Sequence, residues 1–164
     1  EIRKQCGELF NEYELKLAFD EDTKLRIQKQ LDEYSVFQIP LIQVSDTLQR
    51  LIFHKAAIFT NMDSVLLFEE PEAHMFPPYI KKLTTDIVFD KTNQFFFSTH
   101  SPYVLDELIL EGGDDLAVYL VDYKNGETII HHLSKMDLDE IREYGVDLFF
   151  NIESYLKHGQ INNT

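Results

Sequence analysis

Glu69, Glu70, Glu72 and His74 close the run VLLFEEPEAH, in which four apolar residues lead straight into two adjacent carboxylates, a proline, a third carboxylate and a histidine. A buried parallel strand formed by Val65, Leu66, Leu67 and Phe68 would deliver these side chains at its carboxyl end, where such sheets place their functional groups. Two neighbouring carboxylates are costly to desolvate unless a cation or a proton relieves them. Mg2+ held by one of them, with the other activating water, is the chemistry this pair supports.

A second strand end repeats the pattern about twenty-five residues on. Gln94 to Phe97 run into Ser98, Thr99 and His100, and Ser101-Pro102 then offers a favourable start for a helix, with proline at its first position. Between the two strands, Pro77-Pro78 precedes Ile80, Leu83, Ile87 and Val88 at helical spacing. The unit reads as strand, helix, strand with a right-handed crossover, so both strand ends point to one place.

The elements around this unit are legible from periodicity and turn chemistry. Residues 1–12 read as the end of a helix. Leu15, Leu17 and Phe19 alternate on one side of Asp20-Glu21-Asp22 and Leu25, Ile27 and Leu31 on the other, which predicts a hairpin, and a third short strand spans Tyr34 to Ile39. The helix after Asp46 carries Leu48, Leu51, Ile52 and Phe59 on one face, with Asp46 and Gln49 in capping-box spacing. A terminal hairpin, Leu116 to Val121 and Thr128 to His132 about Asn125-Gly126, is expected to extend the sheet. Ser134 and Asp137 start a helix that Gly145 ends; Leu148 to Leu156 form a further apolar piece, and a polar tail from Gly159 is left unordered.

Composition sets the frame. The 164 residues are 44% hydrophobic and 27% charged, enough for one globular core. No apolar run approaches the length of a membrane span and no signal peptide is visible. The single Cys6 excludes an internal disulfide and suits a reducing, cytoplasmic compartment. A net charge of −14 argues against this segment being the main nucleic-acid contact. His54, His131, His132 and His158 share no ligand spacing and read as structural or surface residues.

Three runs together carry a family resemblance. LLFEEPEAH resembles the Walker B strand and following loop of ABC-type ATPases, in particular the OLD, RecF and SMC-like branch of AAA-family ATP-binding proteins. FFFSTHSP is similar to their switch-histidine loop. Val44 to Arg50, VSDTLQR, is similar to the signature motif that opens the helix before Walker B, although Thr47 stands where glycine is common. The three span residues 44–105 in the family's order and spacing.

The resemblance implies an α/β P-loop NTPase fold of the ABC type, a mostly parallel sheet flanked by helices, with an antiparallel β arm. It implies one domain over residues 1–164: helix end and arm over 1–43, signature, Walker B and switch lobe over 44–133, and a helical extension over 134–164. It further implies ATP and Mg2+ as cofactors, Glu70 as catalytic base, Glu69 as the metal carboxylate in the usual aspartate position, and His100 as a γ-phosphate sensor. Ser45, Asp46 and Gln49 would contact nucleotide across a homodimer closed by ATP. Each residue also has a plainer reading. Ser45 can simply cap its helix, His100 can be a satisfied core histidine, and Glu72 and His74 serve equally as loop hydrogen-bonders or dimer contacts. No G-x-x-x-x-G-K-[ST] occurs, so the phosphate-cradling Walker A half is expected upstream of Glu1, in a longer protein of which this is the carboxyl-terminal half, and this chain alone is expected to be inactive. A nuclease or other effector is an expected further partner. Two other readings stand beside ATP hydrolysis: a divalent-metal phosphohydrolase or nuclease using Glu69, Glu70, Glu72 and His100 directly, and a non-catalytic regulatory binding module.

Overall fold

The computed structural model describes residues 14–20 and 24–161, with side chains to residue 156. The helix end expected over residues 1–12 and the Glu21-Asp22 turn lie outside them. The chain divides into two compact units, Glu1–His100 and Ser101–Thr164.

The first unit opens with an antiparallel arm. Strands β1 (Leu15–Phe19), β2 (Leu25–Gln30) and β3 (Val36–Pro40) pair in that order, with Leu17 opposite Ile27 and Ile27 opposite Ile39. Asp20 closes the hairpin by accepting from the Lys24 amide and the Arg26 Nε, both at 2.8 Å. Ile27, 2% exposed, carries the arm into the core. A short 3-10 turn, Leu41–Gln43, leads to helix α1 (Asp46–Thr60).

Helix α1 buries Leu51, Ile52 and Ile58, and helix α2 (Pro77–Phe89) buries Ile80, Leu83 and Ile87. These side chains, except Ile80, form one core with Ile27, against which Phe68, Phe95 and Phe97 pack. The same interface holds a buried charge pair: Lys55 Nζ donates to Asp86 Oδ2, and its ammonium lies 5.4 Å from the Phe59 ring centre. Lys55 is only 8% exposed, so its charge depends on that partner.

Strands β4 (Val65–Glu69) and β5 (Gln94–Ser98) pair in parallel on either side of α2, Leu67 opposite Phe96 and Glu69 opposite Ser98. Burial alternates along both. Val65, Leu67 and Phe96 are exposed, Leu67 by 74%. The strand expected to be buried on both faces is therefore covered on one, because among the described residues a single layer packs on this two-stranded sheet. At the amino ends of the strands Asn93 clamps two loops: its Nδ2 donates to the Asn61 carbonyl at 2.9 Å and to Asp90 Oδ2 at 2.7 Å, and its Oδ1 accepts from the Ser64 amide at 3.1 Å.

In the second unit, helix α3 (Pro102–Glu111) begins with Pro102 at its first position, as expected. Strands β6 (Tyr119–Lys124) and β7 (Glu127–His132) form a hairpin about Asn125 and Gly126, whose φ angles are 53° and 85°. The expectation that this hairpin extends the sheet is corrected: among the described residues β6 and β7 pair only with each other. The hairpin is supported by packing, with Leu120 of β6 buried in the core of its own unit. Helix α4 (Lys135–Tyr144) shows the full Ser134–Asp137 capping box and ends at Gly145 in the left-handed region, φ 62°. Helix α5 (Leu148–Ile161) runs through Gly159, where an unordered tail was expected. The unit's core gathers Leu105, Ile109, Leu120, Leu133, Leu138, Ile141, Leu148 and Tyr155, and Arg142 donates to the Ile109 carbonyl from Nε at 2.9 Å and from Nη2 at 2.7 Å, satisfying the end of α3.

Candidate functional site

The parallel register sets the site. Because Glu69 stands opposite Ser98, the residues that follow each strand emerge together. The Glu70 amide continues the ladder by donating to the Ser98 carbonyl at 3.0 Å. Glu70 then turns the chain at φ 42°, a left-handed conformation unusual for a residue with a side chain. Pro71 is fully buried behind it, and the loop folds back through Ala73 to Glu70 and Met75 to Glu72 amide–carbonyl bonds of 3.0 and 2.9 Å.

This turn aims Glu70 across to the other strand end. Its Oε1 lies 3.1 Å from His100 Nε2, with the two side chains 48% and 82% exposed. A polar contact so open to water adds little stability. It leaves a carboxylate and an imidazole side by side, within reach of a reacting group. Glu72 faces inward instead. Its Oε1 accepts from the Thr99 hydroxyl at 2.6 Å and from the His100 amide at 3.3 Å, while its Oε2 is buried with no hydrogen-bond partner among the described residues.

Glu69 lies on the uncovered face of β4. With Gln49, Arg50, Phe53, His54 and Leu67 it lines a cavity of about 550 Å3 beside α1. His54 is buried there, its Nδ1 2.8 Å from the Arg50 carbonyl and its ring 5.0 Å from that of Phe68. Burial holds its pKa below the usual histidine range, the Arg50 carbonyl partly opposing and the Arg50 charge reinforcing the shift. His54 is thus structural, as its sequence context suggests.

Ser45 occupies the N-cap position of α1, yet its side chain makes no capping bond. Its carbonyl accepts from the Leu48 and Gln49 amides at 3.0 and 3.1 Å, leaving the hydroxyl to solvent at the helix start. The capping box expected between Asp46 and Gln49 is not formed. Asp46 is already the first helical residue, and Gln49 Nε2 reaches back to the Val44 carbonyl at 2.7 Å and the Ile42 carbonyl at 3.3 Å. Thr47, the departure from the glycine of the signature, donates its hydroxyl to the His74 carbonyl at 2.6 Å. His74 is itself left-handed, φ 62°. The start of α1 is thereby fastened to the loop after β4, and the segments that resemble signature and Walker B become neighbours.

Of the sequence-derived site residues, the structure brings Glu70 to His100 and sets Glu69 and Gln49 in the lining of one cavity; Ser45 and Asp46 stand exposed at the start of α1. Two links escaped sequence reasoning, Glu72 to Thr99 and Thr47 to His74. Each joins residues 27 positions apart. The only signal for the first is a carboxylate three residues beyond one strand and a hydroxyl one residue beyond the other.

Among the described residues, no group of three His, Cys, Asp or Glu side chains is placed to hold a metal ion, and no helix is long and apolar enough to cross a membrane. Mg2+ asks for less than a cage of side chains, since it keeps most of its waters and accepts one or two carboxylates. Glu69, exposed at a strand end, fits that demand.

The family described as "AAA domain, putative AbiEii toxin, Type IV TA system" matches residues 1–106. No curated protein sequence matches the chain. Among solved structures, a protein from work on ATP-driven dimerisation and DNA-stimulated activation of SMC ATPases superposes with a TM-score of 0.58 at 18% identity, covering 87% of this chain and 89% of that one. The Smc head of Pyrococcus furiosus, bound to the C-terminal domain of ScpA, gives 0.58 at 19%, and that of Pyrococcus yayanosii 0.57 at 20%. They cover 87% and 88% of this chain, which spans only 37% and 29% of theirs. Matched over most of its length by the family model and folded like the SMC heads, the chain belongs to this AAA-domain family and is an ATPase-type domain with the P-loop NTPase fold.

Proposed function

We propose that this domain binds ATP and hydrolyses it with Mg2+ as part of a longer protein, in a site completed by a Walker A half and closed by ATP-dependent dimerisation. The observation that carries the reading is the meeting of Glu70 and His100, 3.1 Å apart, at the ends of adjacent parallel strands. Glu70 is the general base, orienting the attacking water and taking its proton; His100 donates a hydrogen bond toward the γ-phosphate. Glu69 holds Mg2+ through its water shell. Bound there, Mg2+ would supply charge neutralisation on the phosphates.

Ser45 offers a hydroxyl unclaimed by capping, beside helix amides that lack intrahelical partners and carry the positive dipole end, a setting that suits phosphate oxygens. Asp46 is an acceptor and suits hydroxyl donors of the nucleotide. Gln49 keeps its carbonyl oxygen for ligand while its amide secures the preceding turn. The exposed apolar face of Val65, Leu67 and Phe96 supports a missing layer, because parallel sheets are ordinarily covered on both sides. The Walker A half of the same protein is the layer we assign to it. A nuclease or other effector coupled to the ATPase, and a cytoplasmic location, complete the proposal.

The test is phosphate release by the full-length protein with ATP and Mg2+. Glu70→Gln and His100→Ala should each depress turnover, while the present chain alone should show none. Wild-type turnover in Glu70→Gln removes Glu70 as the base.

A further inference from the structure

We infer that Glu72 is a positioning residue for hydrolysis, fixing His100 against Glu70; this rests on the function proposed above. The chain leaves β5 at Ser98 and presents the His100 side chain to solvent, with no further ladder bond there among the described residues. One carboxylate oxygen ties it to the loop after β4. Glu72 Oε1 accepts from the Thr99 hydroxyl at 2.6 Å and from the His100 amide at 3.3 Å, so the backbone that bears the imidazole is tied to the loop that bears Glu70. Only Pro71, fully buried, separates Glu72 from Glu70. The base and its imidazole partner are therefore set by two parallel links across one strand pair: Glu70 to His100 through side chains, and Glu72 to His100 through the backbone.

The cost of this arrangement marks it as more than a loop hydrogen bond. Glu72 Oε2 is buried with no hydrogen-bond partner among the described residues, and a desolvated unpaired acceptor is unfavourable. A fold seeking stability alone would place an apolar residue or a fully satisfied one there. A positioning role accounts for the carboxylate: it is the acceptor that reaches both Thr99 and His100. Small losses of alignment matter greatly in such a site, since misplacement by about 1 Å can cost on the order of 100-fold in rate.

The experiment uses steady-state ATP turnover by the full-length protein. Glu72→Ala should lower kcat about 10- to 100-fold with KM for ATP changed by less than about 2-fold. Glu72→Gln, which keeps an oxygen at the same reach, should recover most of that loss. Combining Glu72→Ala with His100→Ala should add little to His100→Ala alone, because both act through one group. If Glu72→Ala does not fold, Thr99→Val removes the donor from the other side and should give the same kcat-selective loss, with Thr99→Ser restoring it. Unchanged kcat in the folded variant, or a loss that multiplies fully with that of His100→Ala, overturns the inference. Glu70→Gln in the same assay separates the two levels: an inactive Glu70→Gln beside a fully active Glu72→Ala sinks the inference alone, whereas an active Glu70→Gln sinks the function and the inference with it.

Discussion

The two ends of the β4–β5 pair are built from the same two strands and treated in opposite ways. At the amino end Asn93 satisfies acceptors and a donor from both loops, and Asp90 accepts from Thr92 and Asn93. At the carboxyl end Glu70 and His100 stay exposed, and a Glu72 oxygen has no partner among the described residues. One end is closed by its own hydrogen bonds, and the other is held in a shape with groups left over. Polar groups that the fold does not satisfy internally are available to a ligand.

Substitutions at the two ends should therefore dissociate rate from stability. Glu70→Gln should cost about 100-fold or more in turnover, the range of a lost general base, with a melting temperature close to wild type because the side chain is half exposed. Asn93→Ala should do the reverse, losing about 2 kcal/mol from several broken hydrogen bonds while turnover below the melting range is kept. Turnover loss in Asn93→Ala matching that in Glu70→Gln would break the distinction.

The core beneath both ends should respond only in stability. Lys55→Met leaves Asp86 without its partner in a largely buried interface and should cost about 3 kcal/mol by chemical denaturation. The double change Lys55→Met with Asp86→Leu should return most of it, since no uncompensated charge is left. An additive second loss would show that the pair contributes through something other than its charge.

The cavity beside α1 should reveal itself through pH. Burial lowers the His54 pKa in the folded state from an ordinary 6.5, so below that value the unfolded chain binds the proton more readily. The stability from neutral His54 is complete above the unfolded pKa and is lost as pH falls toward the folded one, by at most about 1.4 kcal/mol per pH unit. Thermal unfolding between pH 7.5 and 5.5 should show this decline, and His54→Leu should flatten it. An equal slope in the variant would place the titration elsewhere.

The smallest stability effect is expected at Ser45. Its hydroxyl makes no cap, so Ser45→Ala should cost well under the ~1 kcal/mol of a lost N-cap. A full capping loss in Ser45→Ala would return the residue to a structural role.

Local signals made much of this fold legible. The alternation about Asp20, the periodicity of α1 and α2, the Asn125-Gly126 turn and the Ser134–Asp137 box each specify an element within a few residues, and each appears. The two strand ends were legible too, because an apolar run ending in acid or in Ser-Thr-His carries its own meaning. What sequence could not give were contacts set by packing. Gln49 reads as a capping partner of Asp46, yet the turn before the helix brings Val44 within its reach. Lys55 and Asp86 meet 31 residues apart, and Glu72 meets Thr99 only because two strands align in parallel. The exposed face of β4 was hidden as well, since four successive apolar residues look the same whether one layer or two cover the sheet.

The most direct test of the account is the oligomeric state of full-length Glu70→Gln with ATP and Mg2+. By removing the base while keeping size and hydrogen bonding, the substitution should leave nucleotide binding intact and stall the cycle after closure, so that a nucleotide-bound dimer accumulates on size-exclusion chromatography and disappears when Ser45→Arg is added. A Glu70→Gln protein that stays monomeric with ATP bound, or that dimerises and turns ATP over like wild type, would contradict it.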